Sequence, residues 1–245
     1  MTGSGAAAAG TIEIGGDLMV RRMGFGAMRI TGHGVWGDPS DLGRAKATLR
    51  RVVELGVTFI DTADSYGPEV SERLIAEALH PYPDNLVIAT KGGLVRPGPG
   101  RWEADGRPEH LREACEGKIR HIGVSNVSVA QLRAAQQVTL VVSVQNRYNA
   151  ADRKSESMVD TCEQEQIAFL PWAPIQQADG NPAVAQAAKR HDASPRQIVL
   201  AWLLARSPRM LPIPGSGSPE HVEANVAAAS IELSSDEVAA ITRGG

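Results

Sequence analysis

From Gly24 onward, short apolar runs ending in glycine or polar residues alternate with segments whose apolar positions recur every three to four residues. Such alternation predicts parallel β–α–β units whose strands are covered on both faces. Seven strands are expected, at residues 23–28, 57–62, 86–91, 119–126, 140–148, 167–173 and 210–215. In the first helix, Ser40 or Asp41 can cap the free amides, Leu42, Ala45, Leu49, Val52 and Val53 share one face, and Gly56 ends it. Further helices are expected at 71–79, 108–116, 129–137, 155–166, 182–205, 219–229 and 235–241. Ahead of this repeat, residues 11–23 read as a β-hairpin about Gly15-Gly16-Asp17, whose glycines accept positive φ.

Composition narrows the picture. The opening MTGSGAAAAG is too small-sided to offset the entropy of ordering it, so residues 1–10 are assigned a disordered tail and 11–245 a single domain. A net charge of -3 over 245 residues gives no field that would gather nucleic acid or an anionic membrane. No run approaches the ~18 apolar residues of a membrane span. Cys115 and Cys162, without a CxxC or a Cys/His cluster, support neither a disulfide framework nor a metal site, and a reducing cytoplasm is the expected location.

Candidate chemistry gathers at strand ends. GVTFIDTADSYG (56–67) delivers Asp61 at the end of a strand and Tyr66 in the following loop, and LVIATKGG (86–93) delivers Lys91 at the end of the next. In a parallel barrel these ends share the face where active sites form. A phenol with a pKa of about 10 is a poor acid at neutral pH. A nearby ammonium lowers that pKa, and Asp61 would keep Lys91 charged and oriented, making Tyr66 a general acid toward a carbonyl that accepts hydride. Taken singly, each has a plainer explanation: a cap, a packing ring, a solvated lysine.

Together these motifs resemble the aldo-keto reductase family, in its bacterial form, over nearly the whole chain. The resemblance implies a TIM-type (β/α) barrel with an N-terminal β-hairpin that reduces small aldehydes and ketones with NADPH. It implies that Ser125 and Asn126 of GVSN and Gln145 of SVQNRYN hold the nicotinamide carboxamide, and that Trp172 and Pro174 of FLPWAP lie at the nicotinamide, the indole beneath the ring. It assigns the phosphates to GSGSPEHVEAN, through Gly215, Ser216, Gly217, Ser218, His221 and Asn225. That turn opens a helix, whose first amides suit an anion in any case. His221 and Ala224 replace an arginine and a glutamate common in the family, so NADH is not excluded. His33 and Trp36, in the loop after the first strand, are candidate pocket residues.

One departure concerns the fold itself. Where relatives carry a helix end, a strand closing in the active-site histidine and another helix, this chain runs PEHLREACEGKIRHIGVSN. Eight residues separate Glu109 from Lys118, against the ~30 or more of a β–α crossover. An internal deletion of about one β/α unit follows, leaving seven strands rather than eight. The barrel must then strain, open with two edges, or pair those edges with a neighbour, as a monomer or weak oligomer. Among the remaining histidines, His80 ends a helix, His110 begins one, His121 enters a strand from the far side, His191 lies in a helix and His221 at the phosphate turn, so only His33 is expected on the active face. Two readings stay open: an impaired carbonyl reductase, or an inactive NADP-binding or truncated form of one.

Overall fold

The computed structural model describes residues 5–115 and 119–244. In chain order the strands are β1 (Thr11–Ile14), β2 (Leu18–Arg21), β3 (Phe25–Gly26), β4 (Phe59–Asp61), β5 (Val87–Ala89), β6 (Leu94–Gly98), β7 (Arg101–Ala104), β8 (Ile122–Ser125), β9 (Val141–Arg147) and β10 (Ala168–Trp172). The helices are α1 (Leu42–Glu54), α2 (Val70–Leu79), α3 (Pro108–Cys115), α4 (Val129–Gln136), α5 (Glu156–Gln164), α6 (Pro182–Arg190), α7 (Pro195–Arg206), α8 (Pro219–Ala227) and α9 (Ser235–Arg243). The chain divides into two compact units, one of residues 25–120 and 215–223, the other of the remaining segments.

In the first unit β3, β4 and β5 form a parallel sheet, with Gly26 opposite Asp61 and Asp61 opposite Ala89. Gly215 bridges to Gly26 in parallel. A Cβ on Gly215 would stand 2.8 Å from the Gly26 oxygen, so the turn that follows needs glycine there. Helix α1 packs on α2. Asp41 caps α1 by accepting from the Arg44 amide, and Ala45, Leu49 and Val52 are buried as the pattern requires, with Thr48 beside them. Leu42 and Val53 are not part of that buried stripe.

In the second unit β8, β9 and β10 form another parallel sheet, Ser125 standing opposite Gln145 and Gln145 opposite Leu170. Its core joins Tyr148, Phe169 and Trp202, with Tyr148 stacked on Trp202 at 5.7 Å and edge-on to Phe169. The hairpin β1–β2 turns through Gly15 and Gly16, both at positive φ. Arg22, just past it, donates to the carbonyls of Leu204, Ser207 and Met210.

Several expectations need correction. The stretch 182–205 is two helices, because Asp192 turns left-handed (φ 49°), Ser194 caps the next amides in a capping box with Gln197, and Pro195 opens α7. Residues 210–215 form isolated parallel bridges at Met210 and Gly215 rather than a strand. The hairpin β6–β7, turning through the glycine-rich 98–100, was not anticipated. Within the expected tail, Ala6–Ala9 form a 3₁₀ turn with Ala6 and Ala9 buried against residues 228–230. Small side chains, uninformative as a pattern, are what allow that close approach. Residues 1–4 of the tail and Glu116 at the expected end of α3 lie outside the described residues.

Replacing Arg22 by Met would remove the cationic donor of three carbonyls, of which that of Ser207 also accepts from the Met210 amide. The expected loss is about 2 kcal/mol in unfolding free energy, read as a lower urea midpoint with unchanged slope. An unchanged midpoint would show that Arg22 does not hold this end of the unit.

Candidate active site

Parallel pairing of β4 with β5 brings Asp61 and the segment leading to Lys91 side by side. Asp61 is buried, and Lys91 Nζ donates to its Oδ2 at 2.6 Å, to the Thr62 carbonyl at 2.9 Å and to the Tyr66 hydroxyl at 3.2 Å. All three hydrogens of the ammonium are used. Nζ also lies 5.0 Å from the centroid of the Tyr66 ring. The three residues singled out from the sequence are therefore one hydrogen-bonded cluster.

The electrostatics differ from the expectation. Burial is the largest influence on the Tyr66 phenol and pushes its pKa up; the Lys91 ammonium opposes this, the Asp61 carboxylate reinforces it, and the net direction is upward. Burial likewise lowers Lys91, but the Asp61 carboxylate and the phenol more than offset it, and the ammonium is held charged. A half-buried cation with a buried carboxylate beside it offers the phenol a charge that is partly neutralised already.

The surroundings of Tyr66 include two features the sequence reading missed. The Trp102 ring of β7 stands 6.3 Å from that of Tyr66 at an interplanar angle of 81°. Helix α3 packs on the glycines after Lys91: a Cβ on Gly92 would come within 3.1 Å of the Ala114 side chain and 3.8 Å of that of Leu111. This brings His110, set aside as merely helix-initiating, near Asp64, two residues before Tyr66. His110 Nε2 is buried without a hydrogen-bond partner among the described residues. The Asp64 carboxyl is pushed up chiefly by burial, with Glu72 adding and His110 opposing. No sequence pattern signals this, because it depends on how α3 packs on the segment after Lys91.

In the other unit, the residues expected at the nicotinamide form their own network. Ser125 Oγ donates to the Gln145 carbonyl at 2.9 Å, and that carbonyl also accepts from the Asn126 amide at 3.0 Å. Asn126 takes a left-handed φ of 57°, and its Oδ1 accepts from Trp172 Nε1 at 2.8 Å. The Arg147 guanidinium lies 5.5 Å from the Trp172 ring centre. Pro174, two residues past β10, is buried after a left-handed Ala173.

Gly215, Ser216, Gly217 and Ser218 form the turn into α8. Ser216 Oγ accepts from the Ser218 amide at 3.0 Å, and a Cβ on Gly217 would meet the Arg29 carbonyl at 2.9 Å. Ser218 Oγ accepts from the His221 amide at 3.5 Å and contacts Glu220. His221 is exposed, whereas Asn225 is buried and belongs with the other unit. Beside Gly217 opens a cavity of about 430 Å³ lined by Arg29, His33, Asp41 and Arg44 among others. His33 thus shares a cavity with Gly217, while Trp36 lies toward the β6–β7 hairpin, 5.6 Å from the Arg96 guanidinium. Arg29 and Arg44 carry no motif, so their approach to the turn was not legible. No cluster of His, Cys, Asp and Glu among the described residues could hold a metal ion, and no helix among them is long and apolar enough to cross a membrane.

Comparison with known proteins gives a consistent answer. The profile of the Aldo/keto reductase family matches residues 22–116 and 114–243. An uncharacterized oxidoreductase of Schizosaccharomyces pombe is 44% identical over 281 residues, covering 98% of this chain and 91% of the relative. Pyridoxine 4-dehydrogenase of Escherichia coli K12 is 34% identical over 271 residues, covering 90% and 93%. Both alignments are longer than the chain's 245 residues, so part of each relative faces a gap in it. Among solved structures, a thermostable aldo-keto reductase bound to the inhibitor epalrestat superposes with a TM-score of 0.80 at 26% identity, covering 96% and 99%. An aldo-keto reductase from Klebsiella pneumoniae in complex with NADPH gives 0.77 at 26%, covering 95% and 94%.

Removing the ammonium should raise the Tyr66 phenol further, since its lowering influence is lost while burial and Asp61 remain. Alkaline spectrophotometric titration of Lys91→Met, with Tyr66→Phe identifying the component, is expected to show ionisation at higher pH than in the parent. A shift to lower pH would contradict the arrangement.

Proposed function

The chain belongs to the aldo/keto reductase family, an α/β protein of the TIM-barrel class, and from that premise we propose that it is an NADPH-dependent reductase of small aldehydes and ketones with Tyr66 as general acid. The observation that carries this reading is the Asp61–Lys91–Tyr66 cluster, in which the phenol is hydrogen-bonded to a charged ammonium. NADPH, when bound, supplies the hydride. Tyr66 gives its proton to the carbonyl oxygen as the carbon receives that hydride, so carbonyl, hydride and proton sum to the alcohol. Lys91 is already placed to steady the phenolate left behind, and Asp61 keeps Lys91 protonated and fixed.

The donor set suits the cofactor. Ser125, Asn126 and Gln145 offer amide and hydroxyl groups for a carboxamide, and Trp172 offers a ring for stacking, with Pro174 behind it. The turn Gly215–Ser218 and the start of α8, with His221, suit phosphates, and Asn225 the adenosine end. Arg29 and Arg44, beside Gly217, provide the positive charge that a 2′-phosphate needs and that His221 alone supplies weakly, which favours NADPH over NADH. Pyridoxine 4-dehydrogenase among the relatives and the NADPH complex among the solved structures accord with a small carbonyl or alcohol substrate and this cofactor.

We further propose reduced turnover. The strand bearing the family's active-site histidine has no counterpart in the sequence, and loss of one oriented donor would lower kcat by about 10²-fold. The second reading, an NADP-binding protein without turnover, is favoured by one observation, that the family match falls into two segments meeting at residues 114–116. The sheets end on β5 and on β8 in their respective units, which accords with strand edges left by a missing strand. We propose a single catalytic domain, monomeric or weakly oligomeric, working in the cytoplasm.

NADPH oxidation with a panel of aldehydes is expected to exceed that of Tyr66→Phe by at least about 10²-fold; equal rates would leave the binding reading, which quenching of Trp172 fluorescence by NADPH would test. With its pKa raised, Tyr66 stays protonated through neutral pH. Reduction should therefore be flat there and fall only as alkaline pH strips the phenol, whereas a fall beginning near neutrality would point to a different acid.

A further inference from the structure

Arg96 is the least expected buried charge in its unit. Its side chain lies in the hairpin β6–β7, only 8% exposed, and the hydrogen bonds it donates go to backbone carbonyls. They are Arg101 at 2.8 Å through Nε, Val35 at 2.8 Å and Ser65 at 3.2 Å through Nη1, and Gly34 at 3.1 Å through Nη2. The guanidinium also lies flat against Trp102, Cζ 3.7 Å from the ring centre, and 5.6 Å from that of Trp36. One group therefore ties three segments: its own hairpin, the loop carrying Trp36, and the residue immediately before Tyr66. A planar fork does this and an ammonium does not, since it must donate in several directions within one plane while stacking on an indole.

The result is a fixed place for Trp102. One face of its indole is covered by Arg96, its ring stands nearly perpendicular to that of Tyr66 at 6.3 Å, and 40% of the residue remains exposed. A carbonyl held at the Tyr66 hydroxyl lies in the neighbourhood of this indole, whose ring stands 6.3 Å from that of Tyr66. A flat conjugated substituent gains ring contact there, and a short alkyl chain gains little.

We propose that Trp102 is a specificity-determining residue that favours planar, conjugated carbonyl substrates such as aromatic aldehydes, and that Arg96 is a positioning residue acting through it. This rests on the reading of Tyr66 as the acid that meets the carbonyl. The clamp explains why a hairpin outside the parallel sheet is held by a buried cation rather than by apolar packing: the contact fixes direction as well as proximity.

The test compares kcat/KM for benzaldehyde and propanal, with NADPH, in the parent and in Trp102→Ala, Trp102→Phe, Arg96→Met and Arg96→Lys. The benzaldehyde-to-propanal ratio is expected to fall about tenfold in Trp102→Ala and in Arg96→Met, mostly through the KM for benzaldehyde. Trp102→Phe should keep most of the ratio, and Arg96→Lys should not restore it. An unchanged ratio in Trp102→Ala overturns the specificity role; an equal fall for both aldehydes in a folded Arg96→Met, checked by circular dichroism, overturns the positioning role. If the parent reduces neither aldehyde above Tyr66→Phe, the reductase reading fails separately. Trp102 is then tested by quenching of indole fluorescence with benzoate, which should be diminished in Trp102→Phe, and equal quenching in both proteins overturns the proposal.

Discussion

A half-buried ammonium gains from a counter-charge within contact distance, and the placement of Asp61 against Lys91 supplies it in a way that shapes the surroundings of Tyr66. The pair exists because β4 and β5 run parallel in a register that carries both strand ends to the same level. Once Asp61 fixes Nζ, the remaining two hydrogens have directions, and one of them points to the Tyr66 hydroxyl. Unpaired, the lysine would feel the lowering influence of burial without its main offset, and the phenol would face a weaker neighbour. The loop between β4 and α2, the glycines after Lys91 and the hairpin beyond them are all arranged about this contact.

Much of this was legible in the sequence because it is encoded locally. Asp61, Tyr66 and Lys91 sit in short motifs whose strand-to-loop transitions are marked by apolar runs and glycine, so their meeting followed from topology alone. The Asp41 cap, the Gly15-Gly16 turn and the starts of α5 through α9 within one or two residues are likewise local, with the exception of the break at Pro195. That break was written in the sequence too, as Ser194-Pro195 with Gln197 in the box position, but the continuous apolar pattern on either side concealed it.

What escaped was long-range. Arg96 bonds to carbonyls more than thirty residues upstream, and nothing in RPGPGRW states which loop it will reach. The approach of Arg29 and Arg44 to Gly217 depends on how the loop after β3 folds back on the turn before α8. The sign of the Tyr66 shift is a balance between burial and a partly neutralised cation, and a motif fixes the partners of such a balance without fixing its outcome. His110, in the first turn of α3, comes near Asp64 through the packing of α3 on the glycines after Lys91, a contact that no local pattern states.

The two cations near Tyr66 will not respond alike to solution conditions. Lys91 is held by a carboxylate, whose charge offsets the burial of the ammonium. Arg96 is held by carbonyl dipoles and indole faces, none of which titrates. The first hold therefore depends on a counter-charge and the second on the directions of carbonyls, so the two sides of Tyr66 are fixed by different kinds of force.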